Sequence, residues 1–144
     1  MIVTLLFIIK TQNMTLSAPP PKLLPVLELM KSAYILWQSC IRIAPKSSRY
    51  TLAETIDKYF IQTIESILIA SFLEKQEKQP FVKKAIISLD TLKFLLYIMW
   101  EIKALDNKRY IALSEPLTKA GGQLGGWHGQ IVKQNSPDAK PREK

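Results

Sequence analysis

A chain of 144 residues, 47% of them hydrophobic, is long enough to bury one core and too short for two ordinary domains. Lys and Arg number 20 against 12 Asp and Glu, and the resulting formal charge of +8 favours polyanions or acidic protein surfaces as partners. The single cysteine, Cys40, excludes an internal disulfide, so a cytoplasmic location is expected.

The positive charge is unevenly distributed along the chain. Residues 1–77 hold eight Lys and Arg against six Asp and Glu, whereas residues 78–144 hold twelve against six. Many small proteins are basic without binding nucleic acid. Charge alone therefore leaves nucleic-acid binding and its absence equally open.

The N-terminal residues are apolar from Met1 to Ile9, but this run is shorter than the ~20 residues that cross a bilayer. It also lacks the basic start and the small-residue cleavage site of a signal peptide. A polyproline-like segment follows at 17–21. We predict that residues 1–21 form a disordered arm and that the protein has no membrane partner.

The first predicted helix spans residues 22–44, because apolar residues recur there at alternating steps of four and three. Pro25 falls in its first turn, where the missing amide has no helical partner, and Pro45 ends it. This pattern is typical of a helix that packs lengthwise against others.

The second predicted helix begins after a short basic corner at 45–50. Thr51 and Glu54 have the spacing of a capping box, in which each side chain bonds the other residue's amide. Helical periodicity then continues to about Lys75, with a wide apolar face.

The third predicted helix spans residues 80–105 and starts at Pro80. From Leu92 to Trp100 only Lys93 is charged, which is typical of a helix buried on every side. A four-helix monomer leaves each helix an outer face, so subunit association is the simpler explanation, and cover by the N-terminal arm is the alternative. The predicted oligomer interface comprises Phe94, Leu95, Tyr97, Ile98 and Trp100.

The fourth predicted helix is capped by Asp106 or Asn107 and ends near Gln123, with a kink at Pro116. The glycine cluster that follows is expected to end it.

After this helix, Trp127 is expected to fold back as an apolar plug. The bundle would then span residues 22–127, and residues 128–144 would form a disordered basic tail.

The sequence contains no recognisable catalytic or metal-binding constellation. His128 is the only histidine, so neither a metal cluster nor a histidine-based triad can be assembled. No pair of carboxylates stands out as an acid–base couple. We therefore predict a protein that is not an enzyme and that needs no cofactor or metal.

Four segments together resemble one known family. They are Tyr34 with Trp37, the corner PKSSRYTL at 45–52, the pair LDTLK at 89–93 and WEIKAL at 100–105, and the run from Tyr110 through LSE to LGGW at 124–127. In this order and spacing they resemble the accessory variability determinant proteins of diversity-generating retroelements, over about residues 23–127. The terminal LGGW and the PKxxR corner are specific only in combination.

The resemblance implies an all-α, up-down-up-down four-helix bundle that assembles into a ring-like homopentamer. It also implies binding to the retroelement's reverse transcriptase and to RNA, and possibly DNA, in support of mutagenic reverse transcription. Pro116 and the run 119–122 depart from the family's more regular helix end, and the N-terminal extension lies outside its pattern.

The predicted contact residues for nucleic acid or partner protein are lysines and arginines, each binding a phosphate or an acidic surface. Such contacts give salt-dependent affinity and little sequence readout. Arg49 has a second interpretation, in which it pairs with Glu54 or Asp57 and fixes the corner. The full set is Lys46 and Arg49 at the corner, Lys83 and Lys84 on the third helix, and Lys103, Lys108 and Arg109 at the hinge before the fourth.

The alternative function belongs to a different class. It is a structural or protein-interaction bundle without nucleic-acid binding, like the bundle proteins encoded in ribosomal RNA intervening sequences.

Overall fold

The computed structural model describes residues 24–136, and all regular secondary structure within them is helical. The helices are α1 (Pro25–Ile43), α2 (Lys46–Arg49), α3 (Leu52–Phe72), α4 (Lys75–Glu101) and α5 (Asn107–Asn135). The four long helices pack together, which confirms the predicted all-α class and the four-helix bundle. The predictions for residues 1–21 and 137–144 lie outside the described residues. No helix between residues 24 and 136 has the length and hydropathy needed to cross a bilayer.

A large apolar core fills most of the bundle, and a smaller cluster of Ala70, Val82 and Ile131 adjoins it. Trp37 of α1 and Phe60 of α3 are fully buried, and their rings stack with centroids 5.9 Å apart. Burying a side chain of this size contributes about 1.5–3 kcal/mol, so packing rather than helix propensity holds the helices in place. The other large buried side chains are Met30 from α1, Ile56 and Ile67 from α3, Leu89, Leu92, Leu96 and Met99 from α4, and Leu113, Leu117 and Leu124 from α5.

The packing order brings α3 against α4, α4 against α5, and α5 back against α1. Helices α1 and α3 touch less closely, and a polar groove lies between them. Pro25 occupies the first turn of α1, as its position in the sequence predicts.

The corner between α1 and α3 differs from its prediction. Residues 46–49, predicted as part of a short basic corner without a helix of its own, form a one-turn helix, α2. The predicted capping box is wrong, because the Thr51 hydroxyl donates to the carbonyl of Ser47 at 3.2 Å and caps no amide of α3. The last carbonyls of a helical turn lack intrahelical partners, and α2 offers one of them to this hydroxyl.

Helix α4 begins at Lys75 and encloses Pro80, so the predicted start at Pro80 is wrong. A proline inside a helix leaves the carbonyl four residues earlier without its amide partner. That carbonyl belongs to Gln76, an exposed residue, so water can satisfy it.

The end of α4 comes earlier than residue 105. Lys103 has a φ of 62°, its amide donates to the Trp100 carbonyl at 2.9 Å, and the Ala104 amide donates to the Met99 carbonyl at 3.0 Å. These two bonds form a Schellman motif, which usually places glycine where Lys103 stands. Holding a lysine in this left-handed conformation costs about 1 kcal/mol.

Helix α5 continues through the glycine cluster to Asn135, so the predicted end at Gln123 and the Trp127 plug are wrong, and residues 128–135 are not a disordered tail. Ile131 is buried against Ala70 of α3, and Trp127 is half-buried beside it. Lys78 of α4 lies over the Trp127 ring at 5.6 Å from its centroid. These contacts with other helices offset the roughly 1 kcal/mol that each helical glycine costs.

Replacing Gly122, Gly125 and Gly126 together by alanine is expected to raise the free energy of unfolding by about 2 kcal/mol. A Cβ added at any of the three would meet nothing within 4 Å, so the substitution restricts the unfolded chain without a clash. Urea denaturation followed by circular dichroism measures the change. A loss of stability would contradict the expectation and would indicate that these glycines contact another chain.

Candidate functional site

Arg49 caps the end of α1. Its Nε and Nη2 atoms donate to the Ala44 carbonyl at 3.2 and 2.9 Å, and Nη2 also donates to the Arg42 carbonyl at 3.3 Å. The final carbonyls of a helix lack intrahelical donors, so the guanidinium stabilises the corner directly. Within the described chain Arg49 makes no ion pair with Glu54 or Asp57, and this predicted alternative is wrong about the partner.

Asp106, one of the two predicted candidates, caps the start of α5. Its carboxylate accepts the Arg109 amide at 2.8 Å and forms an ion pair with the Arg109 guanidinium. The hydrogen bond from the Arg109 backbone amide is the main cause that lowers the pKa of Asp106 below its usual value. Desolvation raises this pKa, and the side chains of Arg109 and Lys108 lower it further. Arg109 is thereby partly neutralised, whereas Lys103 and Lys108 are exposed and form no ion pair among the described residues.

The corner and the hinge lie at the same end of the bundle. Cys40, near the end of α1, is buried, and burial is the main cause that raises the pKa of its thiol. The charge of Arg109 lowers this pKa and that of Asp106 raises it, so the first turn of α5 lies beside the last turns of α1. Ala44 and Leu105 are both buried in the same core.

Lys83 and Lys84 lie elsewhere. Both are exposed on α4, and at 1.5 Å per residue Lys84 lies about 25 Å along the helix from Glu101. Lys84 instead lines a shallow depression with Asp57 and Glu65 of α3. The structure therefore brings five of the seven predicted contact residues to one end and separates the other two from them.

Two residues at this end were missed by sequence reasoning. Arg42 is exposed in the last turn of α1, and Tyr50 directly follows α2 with 74% of its surface exposed. The position of both residues next to the basic corner in the sequence could have identified them as candidates. The basic end surface is defined here as Arg42, Lys46, Arg49, Lys103, Lys108 and Arg109, of which Arg49 and Arg109 are half-buried.

Four rings form a second surface feature, the aromatic stripe, which comprises Phe94, Tyr97, Trp100 and Tyr110. Successive ring centroids are 6.2, 5.9 and 5.4 Å apart. The Trp100 indole N–H donates to the side chain of Asn107 and so fixes the stripe to the start of α5. Such a row of rings on the surface is typical of a docking face.

The predicted oligomer interface is exposed in part. Phe94 is 61% exposed and Tyr97 is 41% exposed, as expected for a single subunit. Leu95, Ile98 and Trp100 are half-buried, and Leu95 packs against the core of its own subunit.

Among residues 24–136, no group of three or more His, Cys, Asp or Glu side chains lies close enough to hold a metal ion. His128, placed in a tail by the sequence prediction, is half-buried in α5.

Comparison with protein-family models and with curated proteins finds no match for this chain.

Proposed function

We propose that this protein is a non-catalytic accessory protein of a diversity-generating retroelement, located in the cytoplasm. It binds the reverse transcriptase and the template RNA, or its cDNA, through the basic end surface. The observation that supports this proposal most is that Arg49, near the end of α1, and Arg109, in the first turn of α5, come from separate segments and lie at the same end of the bundle, next to the exposed Lys103 and Lys108. Cations concentrated in a small area attract a polyanion more strongly than the same number scattered over the surface.

The proposed function includes an up-down-up-down topology and the assembly of several copies of the chain. Consecutive long helices are joined by short connections, such as residues 73–74 and 102–106, which favour antiparallel neighbours and an up-down-up-down topology. Copies of the chain would close into a ring, a homopentamer by the resemblance, and bury the face that carries Phe94, Leu95, Tyr97, Ile98 and Trp100. A ring repeats the basic end surface around one rim, so one RNA can contact several copies.

Binding of single-stranded RNA is expected to weaken steeply with salt. The slope of log affinity against log salt is about −0.7 for each phosphate contacted, so a rim that engages four or five phosphates gives a slope near −3. Fluorescence anisotropy of a labelled RNA, titrated at several KCl concentrations, measures it. No binding at low salt, or affinity independent of salt, would contradict the proposal.

The second candidate is a structural or protein-interaction bundle that binds no nucleic acid. The exposure of Phe94 and Tyr97 favours it, since these rings suit a protein partner whether or not RNA binds. An assembled protein that ignores RNA at every salt concentration would support this candidate.

A further inference from the structure

The polar groove between α1 and α3 has properties that phosphate binding alone does not explain. It is an open groove with a volume of about 510 Å³. The residues that matter are Tyr34 and Gln38 from α1, Arg49 and Tyr50 from the corner, and Glu54 and Asp57 from α3. The groove therefore adjoins the basic end surface and shares Arg49 with it.

The inner part of the groove is rich in hydrogen-bond acceptors. Gln38 Nε2 donates to Asp57 Oδ1 at 3.2 Å, which orients the carboxylate and leaves the Gln38 carbonyl oxygen as an acceptor. The pKa of Tyr34 is raised, first by burial and then by its hydrogen bond and charge interaction with Asp57. All three side chains are half-buried, and the oxygens of Asp57 and Gln38 that these bonds leave free can accept from N–H donors of a ligand.

The mouth of the groove carries the opposite chemistry. The Arg49 guanidinium is held there by its bonds to the α1 carbonyls. Tyr50 is 74% exposed and has no ring contact among residues 24–136. An exposed ring beside cations is the arrangement on which unpaired bases stack while phosphates are neutralised.

We propose that this groove binds one unpaired guanine of a single-stranded RNA. The guanine N1–H and N2 amino group would donate to Asp57 and the Gln38 carbonyl, the base would stack on Tyr50, and its phosphate would lie at Arg49. This inference rests on the proposed function, because it names the part of the RNA that the surface selects.

A protein side chain fits the groove less well. A lysine or arginine from a partner would satisfy the carboxylates of Asp57 and Glu54, but it would meet the Arg49 guanidinium that lines the same groove. A guanine nucleotide joins a donor-rich edge to an anionic phosphate. It therefore matches the carboxylates inside and the cation at the mouth together.

The test compares three labelled RNAs, (UUG)4, (UUA)4 and (UUI)4, in which inosine keeps the N1–H group but lacks the 2-amino group. Fluorescence anisotropy is expected to show about tenfold tighter binding of (UUG)4 than of (UUA)4, with (UUI)4 in between. Asp57→Asn is expected to remove this difference. Tyr50→Ala is expected to weaken binding of (UUG)4 by about 5- to 150-fold, and Tyr50→Phe to restore it.

Because Tyr50 is exposed, its substitution leaves the fold intact, which thermal unfolding of each variant checks. Equal affinity of the wild type for all three RNAs, with the salt dependence present, would overturn the guanine site and leave the proposed function standing. If the wild type bound none of the three RNAs, both the guanine site and the proposed function would be overturned. The inference would also be overturned if the protein bound the three RNAs equally and bound an oligo-arginine peptide in a manner that Asp57→Asn abolishes. That result would assign the groove to a protein partner.

Discussion

Reversing the charges of Lys103 and Lys108 is expected to weaken RNA binding by roughly 10- to 100-fold at about 0.1 M salt. Both side chains are exposed and form no ion pair among the described residues, so their charge is available to a phosphate. Lys103→Glu with Lys108→Glu removes two contacts, which lowers the salt slope for single strands by about 1.4, and adds repulsion. Anisotropy titrations across salt measure both quantities.

Lys75→Glu with Lys133→Glu is the matched control. It changes the net charge by the same amount, on exposed side chains that lie about 39 Å along α4 from Glu101 and about 39 Å along α5 from Asn107. Over that distance salt screens most of the interaction, since the Debye length is about 10 Å at 0.1 M. A small effect is therefore expected. If the control weakened binding as much as the test pair, net charge alone would attract RNA and no local site would be needed.

Some of the features that position the basic end surface could be predicted from the sequence. The apolar spacing along α1 predicted its bounds to within three residues, and residue type and position limited the cap of α5 to Asp106 or Asn107, of which Asp106 is the cap. The separation of Lys83 from Lys103 was also predictable, because helical rise alone fixes distances along one helix.

Other features required knowledge of the neighbouring helices. The low helix propensity of glycine predicted that α5 ends near Gln123. The helix continues twelve residues further, to Asn135, because Ile131 packs against Ala70 and Val82. No local pattern along α5 reveals that α3 and α4 offer those contacts. The second interpretation of Arg49 paired it with Glu54 or Asp57, but its guanidinium donates to carbonyls of the preceding helix because the one-turn α2 turns it back towards them.

The two surfaces are physically connected, which bears on how assembly and RNA binding would influence each other. Trp100 stacks on Tyr110 and donates to Asn107, so the aromatic stripe ends at the hinge that carries Lys108. A neighbouring copy that covers Phe94 and Tyr97 would bring its own cations close to this hinge. Assembly should then strengthen RNA binding without any new base contact, through a higher local concentration of binding surfaces.

Placing glutamate at both Phe94 and Tyr97 is therefore expected to convert the proposed assembly to single chains of 16.4 kDa. Two carboxylates buried between copies would lack partners, and the desolvation penalty of several kcal/mol for each would exceed what a typical interface gains at one position. Native mass spectrometry, or light scattering during size-exclusion chromatography, measures the change. The subunit itself should stay folded, because both side chains lie largely outside its core.

Ile35→Glu provides the control, since Ile35 is 62% exposed on α1, almost the same as Phe94 at 61%. It tests whether any exposed apolar side chain maintains the assembly or only those of the stripe. An assembly that survives Phe94→Glu with Tyr97→Glu but dissociates on Ile35→Glu would move the interface to α1. If the stripe variant becomes single chains and still binds RNA with an unchanged salt slope, each subunit carries a complete site, and the ring only multiplies it.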